Sequence, residues 1–353
     1  MSDPSTENQP EPEELHSPAP PAAEADAAPV ETPSETASSL VQRVSEALRA
    51  EVAKVIVGQD EVVTQCLAAL LASGHVLLEG VPGLAKTLLV RALAAGLGCE
   101  FKRVQFTPDL MPSDVTGTTW YNLQSGAFHL KRGPIFTSLL LADEVNRTPP
   151  KTQAALLESM EERQVSIDGT THDLPVPFMV FATQNPVEQE GTYPLPEAQL
   201  DRFLMKVLIG YPDPEEEVGI LRRHHEGFRT SDLESAGIQA VADAGVLLQC
   251  REAIGRVVVE DGLLRYISSL VRITRDSPHL LLGASPRAGV ALLQCGKVMA
   301  AMRGRDFVIP DDVKELTCPV LRHRVVLRPE AEIEGTSPDT IVRGLVARVE
   351  VPR

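Results

Sequence analysis

The chain has 353 residues, 43% of them hydrophobic, and its 49 acidic and 33 basic residues give a net charge of −16. This length suits two or three domains, and the acidic balance argues against broad nucleic-acid binding, which needs clustered cations. Five widely spaced cysteines, with no secretory signal and no apolar run of membrane length, predict a cytoplasmic protein with reduced thiols.

The chain opens with a tail rich in Pro, Ala, Glu and Ser, over residues 1–37. Residues 1–42 hold nine of the acids and no Lys or Arg. Such a segment cannot bury enough apolar surface to offset its ordering entropy. We therefore expect a disordered acidic tail, and a role as a docking segment stays open.

Helical spacing follows over 38–54 and again over 60–72, with Val57-Gly58-Gln59 between the two helices. From residue 75 to 209, short apolar strands then alternate with helices. The five predicted strands are 75–79, 101–106, 139–143, 178–183 and 204–209. Each strand is nearly continuous in apolar residues, which suits burial on both faces of a mainly parallel sheet. The alternation predicts an α/β layered domain.

The segment GVPGLAKT, residues 80–87, joins the first strand to a helix over 87–97. It resembles the phosphate-binding pattern G-x-x-x-x-G-K-[ST], except that Ala85 replaces the second glycine. Lys86 is expected to reach the β- and γ-phosphates, and Thr87 to hold Mg²⁺. We expect an unusual φ at Gly83 and ordinary helical dihedral angles at Ala85. The predicted nucleotide contacts in this loop are Gly80, Val81, Pro82, Gly83, Leu84, Ala85, Lys86, Thr87 and Leu88.

The segment LLLADEVNR, residues 139–147, is a buried strand that ends in two carboxylates. Open α/β sheets bind ligands at the carboxyl ends of their strands. Asp143 is therefore expected to act on Mg²⁺ through its water shell. Glu144 is expected to take the proton of the attacking water, or to orient that water.

Asn185 ends the next buried strand, in FMVFATQNP, and two arginines follow later in the chain. A neutral amide at this place can hold water or a phosphate oxygen, although an asparagine before proline is also common in turns. The planar guanidinium groups of Arg202 and Arg287 suit developing phosphate charge, but surface ion pairs remain an alternative for each.

The segment GYPDPEEE, residues 210–217, ends the α/β pattern. The helices predicted after it span 214–225, 245–275, 286–303 and 310–321. We therefore predict an α/β core over 38–211 and a helical domain with a C-terminal extension over 212–353. The last thirty residues carry no clear pattern.

Taken together, these motifs resemble the MoxR family of AAA+ ATPases, in the superclade that carries an insert in helix 2 and includes chelatase motor subunits. The resembling blocks are IVGQDEVV (56–63), HVLLEGVPGLAKT (75–87), QFTPDLMPSDVTG (105–117), LLLADEVNRTPPKTQAALLESMEERQVSIDG (139–169), ATQNPVEQEGTYPLPEAQLDRFLM (182–205) and GASPRA (283–288). The resemblance implies a P-loop core with a five-stranded mainly parallel sheet, followed by a small all-α lid. It spans residues 55–325, and the tail is not covered.

The resemblance also implies roles for the matched positions. Lys86 and Thr87 match Walker A, Asp143 and Glu144 match Walker B, and Asn185 matches sensor 1. Arg202 matches an arginine finger that reaches a neighbouring subunit, Arg287 matches sensor 2, and Val57, Gly58 and Gln59 lie beside adenine. ATP and Mg²⁺ are the implied ligands. A hexameric ring, a von Willebrand factor A-domain protein and a client complex are the implied partners.

Two insertions fit the same superclade. Residues 163–178 predict a hairpin with a turn at Asp168-Gly169. Residues 107–133 form the other insertion, where Trp120 and Tyr121 could contact a client, although packing within the insertion is favoured.

The leading functional hypothesis is ATP hydrolysis that drives remodelling or maturation of client protein complexes. A chelatase-type motor subunit and a nucleotide-gated scaffold with little turnover are the alternatives. A ring that acts on DNA is disfavoured by the acidic body of the chain, which has 40 acids against 33 bases after residue 42.

Overall fold

The computed structural model describes residues 37–186, 191–230, 233 and 236–352. The predicted tail therefore lies outside the described residues, apart from Ala37, which begins the first helix. The strands are β1 (Val76–Glu79), β2 (Phe101–Gln105), β3 (Gly117–Asn122), β4 (Ala127–Arg132), β5 (Leu139–Asp143), β6 (Gln164–Ile167), β7 (Thr170–Asp173), β8 (Met179–Gln184), β9 (Met205–Leu208), β10 (Leu280–Leu282) and β11 (Val326–Leu327). The helices are α1 (Ala37–Ala53), α2 (Asp60–Leu71), α3 (Lys86–Gly96), α4 (Pro112–Thr116), α5 (Pro150–Glu162), α6 (Glu197–Leu200), α7 (Pro214–His225), α8 (Ala244–Gly255), α9 (Asp261–Arg275), α10 (Pro286–Met302), α11 (Pro310–Leu321), α12 (Pro329–Ile333) and α13 (Pro338–Val346).

A five-stranded parallel sheet in the order β2-β5-β8-β1-β9 forms the centre of the α/β part. This confirms the predicted fold class and the existence of each predicted strand. Strand β5 is buried along its whole length, as an inner strand between two neighbours should be. Strand β2 lies at the edge, and Arg103 on it is exposed. The expectation that every strand is buried on both faces is therefore wrong for β2.

Two apolar clusters pack on the sheet. The larger cluster joins α1, α2 and α3 to the later helices α8 to α11, so the helical part shares a core with the sheet. The smaller cluster lies under α5 and the β6–β7 hairpin. The domain bounds at 38–211 and 212–353 remain a prediction, since this shared apolar core crosses them.

The single helix predicted over 245–275 is wrong, because the structure divides it into α8 and α9. Helix α8 ends at Gly255, and three consecutive β-branched valines follow, which favour extended backbone. Val258 forms a bridge with Phe307 there. The last thirty residues, which carried no clear pattern, contain α12 and α13.

Both predicted insertions contain hairpins. The β6–β7 hairpin confirms the prediction for 163–178, because Asp168 and Gly169 have φ of 49° and 82°, the two positive values that such a turn requires. The β3–β4 hairpin lies within 107–133. There Trp120 stacks near His129 and Tyr121 near Phe128, with ring centroids 5.4 and 5.1 Å apart. Trp120 and Tyr121 are each 49% exposed, so this packing leaves about half of each side chain open to solvent.

The five cysteines are free thiols, and Cys66, Cys250 and Cys295 are buried. Burial raises the pKa of the Cys66 thiol to about 12, so this thiol stays protonated. Among the described helices, none has both the length and the apolar character that crossing a membrane requires.

Candidate active site

A cleft of about 620 Å³ opens at the carboxyl ends of the parallel strands. One wall comes from the α/β part and the opposite wall from α7 and the segment that follows it. The lining residues are Val55, Ile56, Val57, Gln59, Pro82, Gly83, Leu84, Ala85, Lys86, Thr87, Leu88, Arg91, Arg103, Asp143, Glu144, Asn185, Pro212, Ile220, Arg223, His224, Phe228 and Thr230. The cleft therefore brings together most of the predicted nucleotide contacts with both predicted carboxylates and Asn185.

The loop between β1 and α3 contains two residues with positive φ. Gly83 has a φ of 90°, which confirms the prediction for this position. Ala85 has φ 56° and ψ 20°, so the expectation of ordinary helical angles at Ala85 is wrong. A left-handed alanine costs roughly 1–2 kcal/mol. The carbonyl of Ala85 still accepts from the N–H of Leu89 at 2.9 Å, so the first turn of α3 forms despite this cost.

Lys86 begins α3 and lies half-buried in the loop. Its Nζ donates to the carbonyl of Gly80 at 2.5 Å, and the carbonyl of Val81 lies 3.5 Å from the same atom. Burial lowers the pKa of the Lys86 ammonium, and the carboxylates of Asp143, Glu144 and Glu79 oppose that shift. The side chain thus curls over its own loop, with the anionic cluster of the site close by.

Three of the predicted nucleotide contacts do not line the cleft: Gly58, Gly80 and Val81. A Cβ at Gly58, where φ is 67°, would lie 2.0 Å from Glu216 Oε1 on α7. A Cβ at Gly80 would lie 2.7 Å from the carbonyl of Ile209. Both glycines therefore allow close packing behind the cleft walls.

The two carboxylates emerge at the end of β5. Asp143 Oδ1 accepts from Thr183 Oγ1 at 2.6 Å, and the N–H of Glu144 donates to the same hydroxyl at 2.8 Å. Glu144 has φ 57° and ψ 50°. Left-handed backbone at a residue other than glycine costs free energy and is concentrated at functional sites. An extended strand would place these two consecutive side chains on opposite faces of the sheet. The bend at Glu144 instead turns both of them toward one cleft.

A second set of polar side chains on these carboxylates was missed from the sequence. Arg103 donates to Asp143, Gln105 donates from Nε2 to Glu144 Oε2 at 2.7 Å, and Arg147 donates to the same oxygen at 2.9 Å. Arg103 and Gln105 are two positions apart on β2 and therefore lie on the same face of this strand. This period-2 spacing of polar residues was the signal in the sequence that could have indicated them. The predicted catalytic carboxylate is therefore held by two donors.

Thr87 and Asp143 supply a hydroxyl and a carboxylate to the same cleft. Within the described ranges, no group of three or more His, Cys, Asp or Glu side chains could hold a metal ion by itself. Mg²⁺ keeps several waters and usually takes only one or two protein oxygens together with substrate phosphates. This donor set fits Mg²⁺ bound with a nucleotide and does not form a cage for a metal alone.

Arg202 and Arg287 lie outside the residues that line the cleft, but the structure brings them to one acid. Arg287 Nη2 lies 2.7 Å from Glu161 Oε2, and Arg202 Nε lies 3.9 Å from the same oxygen. The hydrogen bond from Arg287 is the main cause that lowers the pKa of Glu161. The two arginines therefore form one cluster apart from the phosphate loop.

The wall made by α7 was also missed from the sequence. Ile220, His224 and Phe228 line the cleft together with Val57. Arg223 anchors this wall, because its guanidinium donates to the carbonyls of Lys54 and Ala53 at 2.8 and 3.0 Å. The two segments of the apolar wall lie about 160 residues apart in the chain, which hides them from sequence reading.

The family profiles that match this chain cover both of its parts. Residues 75–205 match the ATPase family associated with various cellular activities (AAA), and residues 272–345 match the AAA lid domain.

Several relatives match most of the chain. Protein YeaC of Bacillus subtilis, described as uncharacterized, is 49% identical over 299 residues, which are 85% of this chain and 92% of the relative. Chaperone MoxR1 of Mycobacterium tuberculosis is 45% identical over 86% of this chain and 81% of its own. Protein MoxR of Methylorubrum extorquens is 33% identical over 86% and 93%.

A solved structure agrees with these relatives. The crystal structure of a Cytophaga hutchinsonii protein, provisionally described as an ATPase, is 44% identical and superposes with a TM-score of 0.82 over 90% of this chain and 97% of its own. With relatives of this identity matched over most of both sequences, and with the predicted Walker residues gathered in one cleft, the chain belongs to the MoxR family of AAA+ ATPases.

Proposed function

We propose that this chain hydrolyses ATP with Mg²⁺ and uses the cycle to remodel or mature client protein complexes. The observation that carries the proposal is the cleft itself. It joins the phosphate loop with Lys86, after β1, to Asp143 and Glu144, at the end of β5, and these two parallel strands flank β8 in the sheet. A phosphate cradle together with two carboxylates is what phosphoryl transfer to water requires.

The residues divide the chemistry among them. The N–H groups of the loop and Lys86 bind the phosphates, and Thr87 and Asp143 hold Mg²⁺ directly and through water. A metal ion held by these two residues would supply positive charge against the negative charge that develops on the phosphates. Glu144 orients the attacking water and takes its proton, while the amide of Asn185 donates to the terminal phosphate. Glu144 must first exchange its hydrogen bonds with Gln105 and Arg147.

The cluster of Arg202 and Arg287 supports assembly into a ring. Both guanidinium groups lie on Glu161 and outside the cleft of their own chain. We assign both arginines to the site of a neighbouring copy, where planar donors would stabilise the transferring phosphate. A finger that acts in trans needs a neighbour for every site, which a closed ring supplies, and we propose a hexamer because the family resemblance implies one.

The relative from M. tuberculosis is named a chaperone. By analogy we propose a protein client, with a von Willebrand factor A-domain protein as the adaptor. The half-exposed Trp120 and Tyr121 offer an aromatic surface for such a contact. Aromatic side chains of this kind are enriched at protein interfaces.

The decisive experiment compares ATP binding with phosphate release in four variants. Glu144→Gln should retain ATP and release no phosphate, because the amide cannot take the proton of the attacking water. Lys86→Ala should lose ATP binding. Glu162→Gln, an exposed acid at the end of α5, is the matched control and should behave as the wild type. Arg202→Ala should bind ATP normally but hydrolyse it poorly.

The outcomes separate the hypotheses. Wild-type turnover no higher than that of Glu144→Gln, even in the assembled state, would contradict hydrolysis and support a nucleotide-gated scaffold. Weak ATP binding with normal turnover per bound site in Arg202→Ala would contradict the finger assignment. Affinity capture with Glu144→Gln in ATP would then identify the client, because this variant should hold the ATP-bound state.

A further inference from the structure

The carboxylate of Asp143 is bound by a cation of the protein itself. Arg103, on the edge strand β2, donates from Nε at 3.0 Å and from Nη2 at 2.6 Å, both to Asp143 Oδ2. The side chain of Asp143 is 11% exposed and that of Arg103 is 48% exposed. The pair therefore lies at the boundary of the cleft, with its acid inside and its base reachable by solvent.

The hydrogen bonds nearly saturate this carboxylate. A carboxylate oxygen offers about two lone-pair sites. Two N–H groups of Arg103 take those of Oδ2, and the hydroxyl of Thr183 takes one of Oδ1 at 2.6 Å. A water of the Mg²⁺ shell needs an acceptor on the same carboxylate. Arg103 and hydrated Mg²⁺ thus require overlapping parts of one side chain.

Electrostatics add to this competition. A divalent cation beside Asp143 would lie next to the guanidinium of Arg103, and like charges at such distances repel. The pair is only half-buried on the side of Arg103, so this side chain can turn toward solvent at low cost. Displacement of Arg103 is therefore cheaper than burial of both cations together.

Arg103 is also tied to the catalytic carboxylate. Its Nη2 donates to Gln105 Oε1 at 2.7 Å, and Gln105 Nε2 donates to Glu144 Oε2 at 2.7 Å. One continuous chain of hydrogen bonds thus runs from Asp143 through Arg103 and Gln105 to Glu144. Gln105 holds Arg103 in place from one side while it holds Glu144 from the other.

We propose that Arg103 is a positioning residue that competes with Mg²⁺ for Asp143, so that metal binding requires Arg103 to leave this carboxylate. The inference rests on the proposed function, in which Asp143 faces a Mg²⁺–nucleotide complex. The departure of Arg103 also removes one partner of Gln105 and so loosens the hold on Glu144. The metal requirement of the site is thereby set by a residue on a strand that carries no nucleotide-binding motif.

The test measures the Mg²⁺ concentration at half-maximal binding of a fluorescent N-methylanthraniloyl ADP analogue, followed by fluorescence polarisation without turnover. Arg103→Met should lower this midpoint about tenfold, which corresponds to about 1.4 kcal/mol. Arg103→Lys keeps the charge but loses the planar fork of donors, so its Mg²⁺ midpoint should lie between those of the wild type and Arg103→Met. Gln105→Leu should lower the midpoint by a smaller factor, because Arg103 loses one anchor.

The control is Lys102→Met, on the same strand. Lys102 Nζ donates to the carbonyl of Phe136 at 2.9 Å, pairs with Glu100 and does not line the cleft. The Mg²⁺ midpoint of Lys102→Met should equal that of the wild type. All variants should reach the same polarisation at saturating Mg²⁺, which shows that they are folded. A Mn²⁺ titration followed by electron paramagnetic resonance, with ADP present, should give the same order of affinities.

Three results would overturn the proposal. An unchanged or raised midpoint in Arg103→Met would show that Arg103 does not compete with the metal. A loss of ADP binding by this variant in excess chelator would make Arg103 a phosphate ligand instead. A wild-type midpoint in Gln105→Leu would contradict the anchoring of Arg103 by Gln105. If the wild type binds no nucleotide at all, the proposed function itself fails, and the two failures are thus distinguishable.

Discussion

The ion pair between Asp201 and Arg324 should be one of the strongest single contacts between the α/β part and the helical part. The side chain of Arg324 is 3% exposed and that of Asp201 is 25% exposed. Arg324 Nε donates to Asp201 Oδ1 at 2.6 Å, and its other nitrogens donate to the carbonyls of Phe203, Leu204 and Val320 at 2.6, 2.8 and 2.6 Å. Burial lowers the pKa of Arg324, and Asp201 opposes that shift.

The perturbation is Asp201→Asn, which leaves the shape almost unchanged and removes the charge that balances Arg324. Loss of one partner from a buried pair costs about 3–5 kcal/mol. Since Asp201 keeps a quarter of its surface in water, we expect the lower end, about 3 kcal/mol. The loss should persist at high salt, because ions screen buried pairs much less than exposed pairs.

The assay is equilibrium urea unfolding of the wild type, Asp201→Asn and the control Asp173→Asn, an exposed acid on β7. The control should change the free energy of unfolding by less than about 0.5 kcal/mol. A loss below about 1 kcal/mol in Asp201→Asn, the value typical of a surface ion pair, would refute the reasoning. Ser285 Oγ also donates to Asp201 Oδ2 at 3.2 Å, so the same variant should loosen the start of α10.

Two further predictions concern single residues of the core and the loop. Burial lowers the pKa of His75 from 6.5 to about 4, and its ring bridges the N–H of Val180 and the carbonyl of Met160. The unfolded state therefore binds more protons between these pH values, so the stability advantage of the wild type over His75→Gln should shrink by about 3 kcal/mol as the pH falls from 6.5 to 4. A constant difference in urea unfolding across that range would contradict the assignment. Ala85→Gly should raise the free energy of unfolding by about 0.5–1 kcal/mol, because relief of the left-handed strain exceeds the added entropy of the unfolded glycine. A loss of stability in thermal unfolding would show that the methyl group makes a favourable contact.

The sheet was predictable because each of its strands carries its own signal. Runs such as Leu139–Asp143 are continuous in apolar residues, and the structure ends them within a residue or two of the predicted positions. The Asp168-Gly169 turn was predictable for the same local reason, since few residue pairs tolerate two positive φ values. The break between α8 and α9 was missed, because periodicity continues through a short extended segment.

The candidate site likewise has parts that the sequence predicted and parts that it did not. Lys86, Thr87, Asp143 and Glu144 follow from motif spacing, because each motif is a contiguous piece of chain. The left-handed angle at Ala85 did not follow, because the loop conformation is imposed by the closure between β1 and α3 and outweighs the preference of alanine.

The sequence by itself determined the family, the parallel sheet and the residues predicted to bind phosphate and metal. Only the tertiary structure decided which cations face which acids. Arg103 pairs with Asp143 across 40 residues, Arg287 pairs with Glu161 across 126, and Arg324 pairs with Asp201 across 123. The reason is physical. A motif is read from neighbours along the chain, whereas an ion pair depends on strand order and helix packing, which bring distant residues within reach of each other.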